Sequence, residues 1–229
     1  MSFFAISDLH MPGGDDKPMD VFGSNWTGHI EKICSAWRNE IKDDDVVLMP
    51  GDFSWAMTQE AAMEDLALIG SLPGKKVISK GNHDFWWDGI GKVRRALPEG
   101  MYAIQNDCVV LNDRCICGTR GWLLPQDQKT ENDAKIYRRE LIRLDMTLSD
   151  AEKKAQGLPV VCMLHYPPLT EGNRDTEVTQ ILKKHAVKDV IYGHVHGAAI
   201  KTAFTGEQDG INYTLVSCDA LSFAPIRLF

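Results

Sequence analysis

Several absences narrow the reading of this 229-residue sequence. No apolar run approaches the roughly 20 residues that a membrane-spanning helix needs, so no membrane role is expected. The opening MSFFAISDLH has no basic stretch and no long apolar segment. It reads as a first strand, not a secretory signal. Positive charge is in deficit: 25 Lys and Arg against 32 Asp and Glu leave a net charge of −7, with no Lys/Arg-rich stripe. The chain therefore has no general electrostatic grip on a long polyanion, and a small ligand is a better partner than a nucleic acid. No internal repeat, low-complexity tract or linker interrupts it, so 1–229 reads as a single domain. Without a secretory signal, the six cysteines (34, 108, 115, 117, 162 and 218) are expected as reduced thiols in a cytoplasmic protein. Cys115 and Cys117 fall on one face of a strand, where core packing outweighs a metal or redox role.

What is present is a series of short β-prone runs at 3–6, 46–49, 76–79, 108–111, 115–118, 160–164 and 189–192. Several are continuously apolar, as in strands covered on both faces. Helical patterns lie between the early ones. Trp26, Ile30, Ile33, Trp37 and Ile41 make one stripe, and 58–71 starts at a capping Thr58 and stops before Pro73-Gly74. This order predicts an α/β layered domain. The 3-4 spacing of Tyr137, Leu141, Leu144, Leu148, Ala151 and Ala155 predicts two consecutive helices in 130–156. The break falls at Ser149-x-x-Glu152, a capping-box pattern. Arg138, Arg139 and Arg143 give the first helix a basic face, either solvated or part of a lid, so that 126–157 reads as a helical insertion. AAIKTAF and INYTLVSC, separated by TGEQDG, predict a hairpin. Pro225 argues against a central strand near the C-terminus.

The residues that follow the strands carry the chemistry. After FFAIS come Asp8 and His10; after VVLMP, Asp52; after KVISK, Asn82, His83 and Asp84; after VVCML, His165; after DVIYG, His194 and His196. In a largely parallel sheet these ends share one edge, where ligands bind. In extended chain, i and i+2 point the same way, so Asp8 and His10 can face one site, and so can His194 and His196. Three carboxylates, one amide and five imidazoles in one place require a counter-charge. Nitrogen and oxygen donors without thiolate suit manganese, iron or zinc. The ligands are too many for one ion and sufficient for two, with a carboxylate such as Asp52 as bridge. His29 and His185 lie outside this set, on predicted helices, as surface or capping residues.

With SDLH, PGDFS, KGNHD, MLHYP and YGHVH in order over residues 7–196, the chain resembles the calcineurin-like metallophosphoesterases. The resemblance implies a four-layer αββα sandwich of two mixed sheets flanked by helices, with a dinuclear metal site at the strand ends. It implies Asp8, His10 and His196 on one metal and Asn82, His165 and His194 on the other, with Asp52 bridging. It also implies that His83 faces the substrate as a catalytic residue and that Asp84, paired with His83, sets its orientation. The implied reaction is phosphoester hydrolysis by a metal-bridging hydroxide; the resemblance itself supplies no substrate, and a small phosphodiester or nucleotide is the leading expectation. The Arg-containing GDxxDRG pattern of the protein phosphatases is absent, which weakens that branch. Arg120 is a candidate phosphate-binding residue. Phosphomonoesterase, nuclease and non-catalytic scaffold are the alternatives. Phe85-Trp86-Trp87 are either core or pocket lining.

Overall fold

The computed structural model describes residues 1–14, 19–185 and 187–229. Its strands form on the short apolar runs: β1 Phe3–Ala5, β2 Val46–Met49, β3 Lys75–Ser79, β4 Met101–Ile104, β5 Asp107–Leu111, β6 Arg114–Thr119, β7 Val160–Leu164, β8 Asp189–Tyr192, β9 Gly206–Gln208, β10 Ile211–Leu215 and β11 Ile226–Arg227. The helices are α1 His29–Glu40, α2 Met63–Gly70, α3 Ile90–Ala96, α4 Glu131–Ala155 and α5 Glu177–Lys184.

One sheet has the order β11-β1-β2-β3-β4, the other β5-β6-β7-β8-β10-β9. β1 to β4 run parallel, and β11 adds an antiparallel edge that begins just after Pro225. In the second sheet β6, β7, β8 and β10 are parallel, with β5 and β9 antiparallel at the edges. Alternate residues of each central strand point to opposite faces and are buried on both. Phe3, Ala5, Val46, Leu48 and Val77 of the first sheet meet Ile116, Val161, Met163 and Ile191 of the second. The opposite faces pack on helices: Phe4, Val47 and Ile78 with Ile33 and Trp37 of α1, and Cys115, Cys117 and Cys162 with Leu144 and Leu148 of α4. The result is the four-layer αββα sandwich, and all six cysteines are unbridged.

Three elements differ from expectation. Residues 131–155 form one helix. Its capping box is Thr130 with Asp133, and Ser149 stays inside by donating to the Asp145 carbonyl at 2.9 Å. A serine satisfied by the i−4 carbonyl need not end a helix. The hairpin is shorter than predicted. Residues 197–202 form a 3-10 helix, and β9 lies within the segment expected as the turn. The turn itself is Asp209-Gly210, both at positive φ (55° and 75°), as a two-residue hairpin requires. Finally, α2 begins at Met63; Thr58 closes only a preceding turn on the Ala61 amide.

Candidate metal centre

The segments leaving β1, β2, β3, β7 and β8 meet at one edge of the sandwich. At four positions their backbone is not extended. Asp8, His10, Asp52 and His194 all have left-handed φ, at 57°, 46°, 50° and 71°. For non-glycine residues this costs on the order of 1–3 kcal/mol each and persists only where the surroundings enforce it. Asp8 and His10 therefore reach one group by a route other than i, i+2 alternation, while His194 and His196 face the same edge and join different groups. Two glycines permit the crowding. A Cβ on Gly81 would lie 2.1 Å from Asp52 Oδ1, and one on Gly193 would lie 2.3 Å from Asp8 Oδ2.

Asp8, His10 and His196 offer donor atoms all within 4.8 Å of one another, and so do Asp52, His165 and His194. Asn82 joins the second group, its Oδ1 2.7 Å from His165 Nε2. Asp52 Oδ2 lies 3.5 Å from His165 Nε2 and 4.0 Å from His10 Nε2, so one carboxylate borders both groups. Asp8 Oδ1 lies 3.4 Å from His196 Nε2 and 4.0 Å from His165 Nδ1. The His165 ring is oriented by Nδ1 against the Pro50 carbonyl at 3.0 Å, which leaves Nε2 for the centre.

The electrostatics fit divalent cations. Burial lowers the pKa of His10 to about 3, of His165 to about 4 and of His194 to about 3, so these rings are neutral, as ligands must be. Burial, then the charges of Asp8 and Asp84, push Asp52 up to about 9. Burial would also raise Asp8, but the His196 hydrogen bond and the surrounding histidine charges hold it well below the usual carboxylate range. His196 is drawn up to about 10 against its own burial, by hydrogen bonds to Asp219 and Asp8. Buried carboxylates and neutral imidazoles this close together call for added positive charge. His10 Nδ1 is buried and has no hydrogen-bond partner among the described residues. Nitrogen and carboxylate donors without thiolate suit manganese, iron or zinc.

His83 stands beside this centre. Its amide donates to Asp52 Oδ1 at 2.8 Å, and its ring lies 4.4 Å from the Trp55 ring and 5.7 Å from that of His10 (centroid distances). Burial lowers its pKa. Asp84 is fully buried but makes no hydrogen bond to the His83 ring, which corrects the expected pairing. Its oxygens accept from the amides of Gly81 (2.8 Å), Phe53 (2.8 Å) and Ser54 (3.2 Å) and from Trp86 Nε1 (2.9 Å). A short carboxylate facing several amides is better satisfied by them than by a ring on the adjacent residue. Asp84 thereby clasps the Asp52 loop to the Asn82–His83 loop. Trp86 and Trp87 are core, and Phe85 is exposed. The Arg120 guanidinium lies over the Trp122 ring, 4.5 Å from its centroid, and lines a separate cavity.

Three supporting residues escaped the sequence reading. Asp219 Oδ1 is 2.8 Å from His196 Nδ1, and Ser217 Oγ donates to Asp8 at 3.0 Å. Both follow β10, so the strand-end rule that found the other residues applied to them as well. His29 is buried, not on the surface, and its Nε2 contacts the Leu9 carbonyl at 3.1 Å, between Asp8 and His10. No sequence signal distinguished it. His185 caps α5 as expected, between Asp145 and Glu152 of α4.

A family model described as calcineurin-like phosphoesterase matches residues 1–198. No curated protein matches the sequence. Among solved structures, the phosphopantetheinyl hydrolase PptH from Mycobacterium tuberculosis is similar with a TM-score of 0.56 and 15% identity, over 100% of this chain and 95% of that one. AQ665 from Aquifex aeolicus, described as of unknown function, is similar with a TM-score of 0.51 and 17% identity, over 99% of this chain and 95% of that one. At these identities the two structures speak for the fold alone.

Proposed function

We infer, from the fact that the chain belongs to the calcineurin-like phosphoesterase family, that it hydrolyses phosphoesters with divalent metal ions; the finer reading proposed here is a small phosphodiester or nucleotide as substrate. The observation that carries it is Asp52 bordering two histidine-rich groups at once. Asp8, His10 and His196 would hold one ion, and Asn82, His165 and His194 the other, with Asp52 shared. When bound, the pair supplies Lewis acidity at phosphorus and a water nucleophile at neutral pH.

The chain's own residues do the rest. Ser7, Ser217 and the His194 amide fix the Asp8 carboxylate, and Asp219 orients His196. His83, neutral at pH 7 because burial lowers its pKa, carries one ring N–H. That N–H donates to a phosphoryl or leaving-group oxygen. Asp84 acts as a positioning residue through the two loops it joins. His10, Trp26, Trp55, His83 and His196 line a cavity of about 270 Å³ with largely aromatic walls. It suits the organic part of an ester better than a bare phosphate, which favours diesters and nucleotides. The six unbridged cysteines agree with a cytoplasmic setting, and no helix among the described residues is long and apolar enough to cross a membrane.

The test is turnover of bis-p-nitrophenyl phosphate and p-nitrophenyl phosphate by chelator-stripped protein before and after Mn²⁺ is restored. Activity that returns with the metal and favours the diester supports the proposal. Preference for the monoester moves the substrate to phosphomonoesters. Absence of turnover with metal restored contradicts the hydrolase reading for both probes.

A further inference from the structure

A second cavity, of about 180 Å³, opens beside the metal centre between the ends of β3, β4 and β6 and the flank of α4. Lys80 directly follows β3 and stands two residues before Asn82. Arg120 directly follows β6, and its carbonyl accepts from the amides of His165 and Tyr166. The cavity is therefore built on the same loops as the centre. Its charges are unbalanced. Arg120 makes no ion pair among the described residues, and neither does Lys80, whose ammonium donates only to the Trp87 carbonyl at 3.0 Å. The third cation, Arg143 of α4, is paired with Glu140 at 2.5 Å. Three cations against one carboxylate leave an excess of two positive charges.

Buried polar atoms in the same walls lack partners. Ser79 Oγ and Thr119 Oγ1 belong to side chains only 3% and 2% exposed, and neither makes a hydrogen bond. Glu140 is 4% exposed; Oε1 holds Arg143, and Oε2 has no partner. Buried polar groups left unpaired are costly, and an oriented ligand removes that cost. Water could satisfy the hydroxyls but does not neutralise two unpaired cations. An oxyanion does both, since Lys80, Arg120, Ser79 and Thr119 are donors. The free Glu140 oxygen narrows the choice, because an ionised carboxylate accepts and cannot donate. The best-matched anion therefore carries a hydroxyl of its own, as a hydrogen phosphate or the monoanionic end of a phosphomonoester does and sulfate does not.

We propose that this cavity is a binding site for a protonated phosphoryl anion, adjoining the metal centre and separate from it. Two sources share that chemistry: free inorganic phosphate, or a terminal phosphomonoester on a substrate whose ester bond lies at the centre. The second source rests on the hydrolase reading above; the binding itself does not.

The test is calorimetric titration of the metal-loaded protein with inorganic phosphate, with metal content measured in parallel. Lys80→Gln/Arg120→Gln should weaken this phosphate component by about tenfold or more, the loss of charge-assisted hydrogen bonds, while metal content is unchanged. Lys80→Arg should keep it. Thr119→Val, which preserves shape and charge, should weaken it to a smaller extent and covers the case in which the double variant does not fold. Sulfate should bind the cavity more weakly than phosphate, and Glu140→Gln should narrow that difference. Phosphate isotherms identical in the wild type, the double variant and Thr119→Val would overturn the proposal, leaving the cavity to water. To separate the sources, KM is compared for a phosphodiester with and without a terminal phosphomonoester. A lower KM with the added group, lost in the double variant, assigns the site to substrate, and an unchanged KM assigns it to free phosphate. A protein inert toward both diesters still gives the isotherm, so failure of the hydrolase reading and failure of this site are distinguishable.

Discussion

The two ligand groups at the sandwich edge are supported differently. In the Asp8/His10/His196 group much of the support comes from side chains. Ser7 and Ser217 donate to Asp8, and Asp219 orients His196. In the Asp52/His165/His194 group it comes from the main chain. The Pro50 carbonyl orients His165, and the His83 amide holds Asp52. Support from a side chain can be removed one hydrogen bond at a time. Support from the backbone follows from the path of the chain, so substitution reaches it only indirectly. The first group is therefore the one whose metal affinity second-layer substitutions can tune.

The sharpest way to break this comparison is to remove what the groups share. Asp52→Ala should lower turnover of bis-p-nitrophenyl phosphate by on the order of 10³ or more in steady-state assays, since both ions lose a ligand. His83→Ala should leave metal content intact and reduce kcat by about 10²–10⁴. Unchanged turnover would remove His83 from the reaction. Asp219→Asn separates the groups. Metal titration should show one site weakened by about 10–100-fold and the other unaffected. Equal weakening of both would contradict the distinction between side-chain and main-chain support. The smallest effect is expected for Trp86→Phe, which removes one of the four hydrogen bonds to Asp84. Denaturant unfolding should show a loss of about 1–2 kcal/mol.

The layered fold was legible because the strands are buried on both faces and so read as continuous apolar runs. Asp8, His10, Asp52, Asn82, His165, His194 and His196 stood out because each follows such a run, and the structure does bring them to one edge. What the strand-end rule could not convey was their direction. Left-handed φ at Asp8, His10, Asp52 and His194 is imposed by loop packing around Gly81 and Gly193, so periodicity in the sequence does not encode it. The Asp84 expectation differed for a related reason. Adjacency to His83 suggested a pair, but amides from a loop 30 residues away in the chain satisfy the carboxylate better. In α4, the Ser149 pattern mimics a helix start, and only the i−4 hydrogen bond shows that the helix continues. β9 was hidden because Gly206–Gln208 is polar and sits on a sheet edge.

On the proposed reading, the strand ends build one centre for two ions with Asp52 between them. The most direct measurement is the number of Mn²⁺ ions retained per chain after chelation and reloading, compared between the wild-type protein and His165→Ala. Two ions per wild-type chain are expected, and one in the variant with Asp8, His10 and His196 still occupied. A single ion in the wild type, or the same number in both proteins, would contradict it.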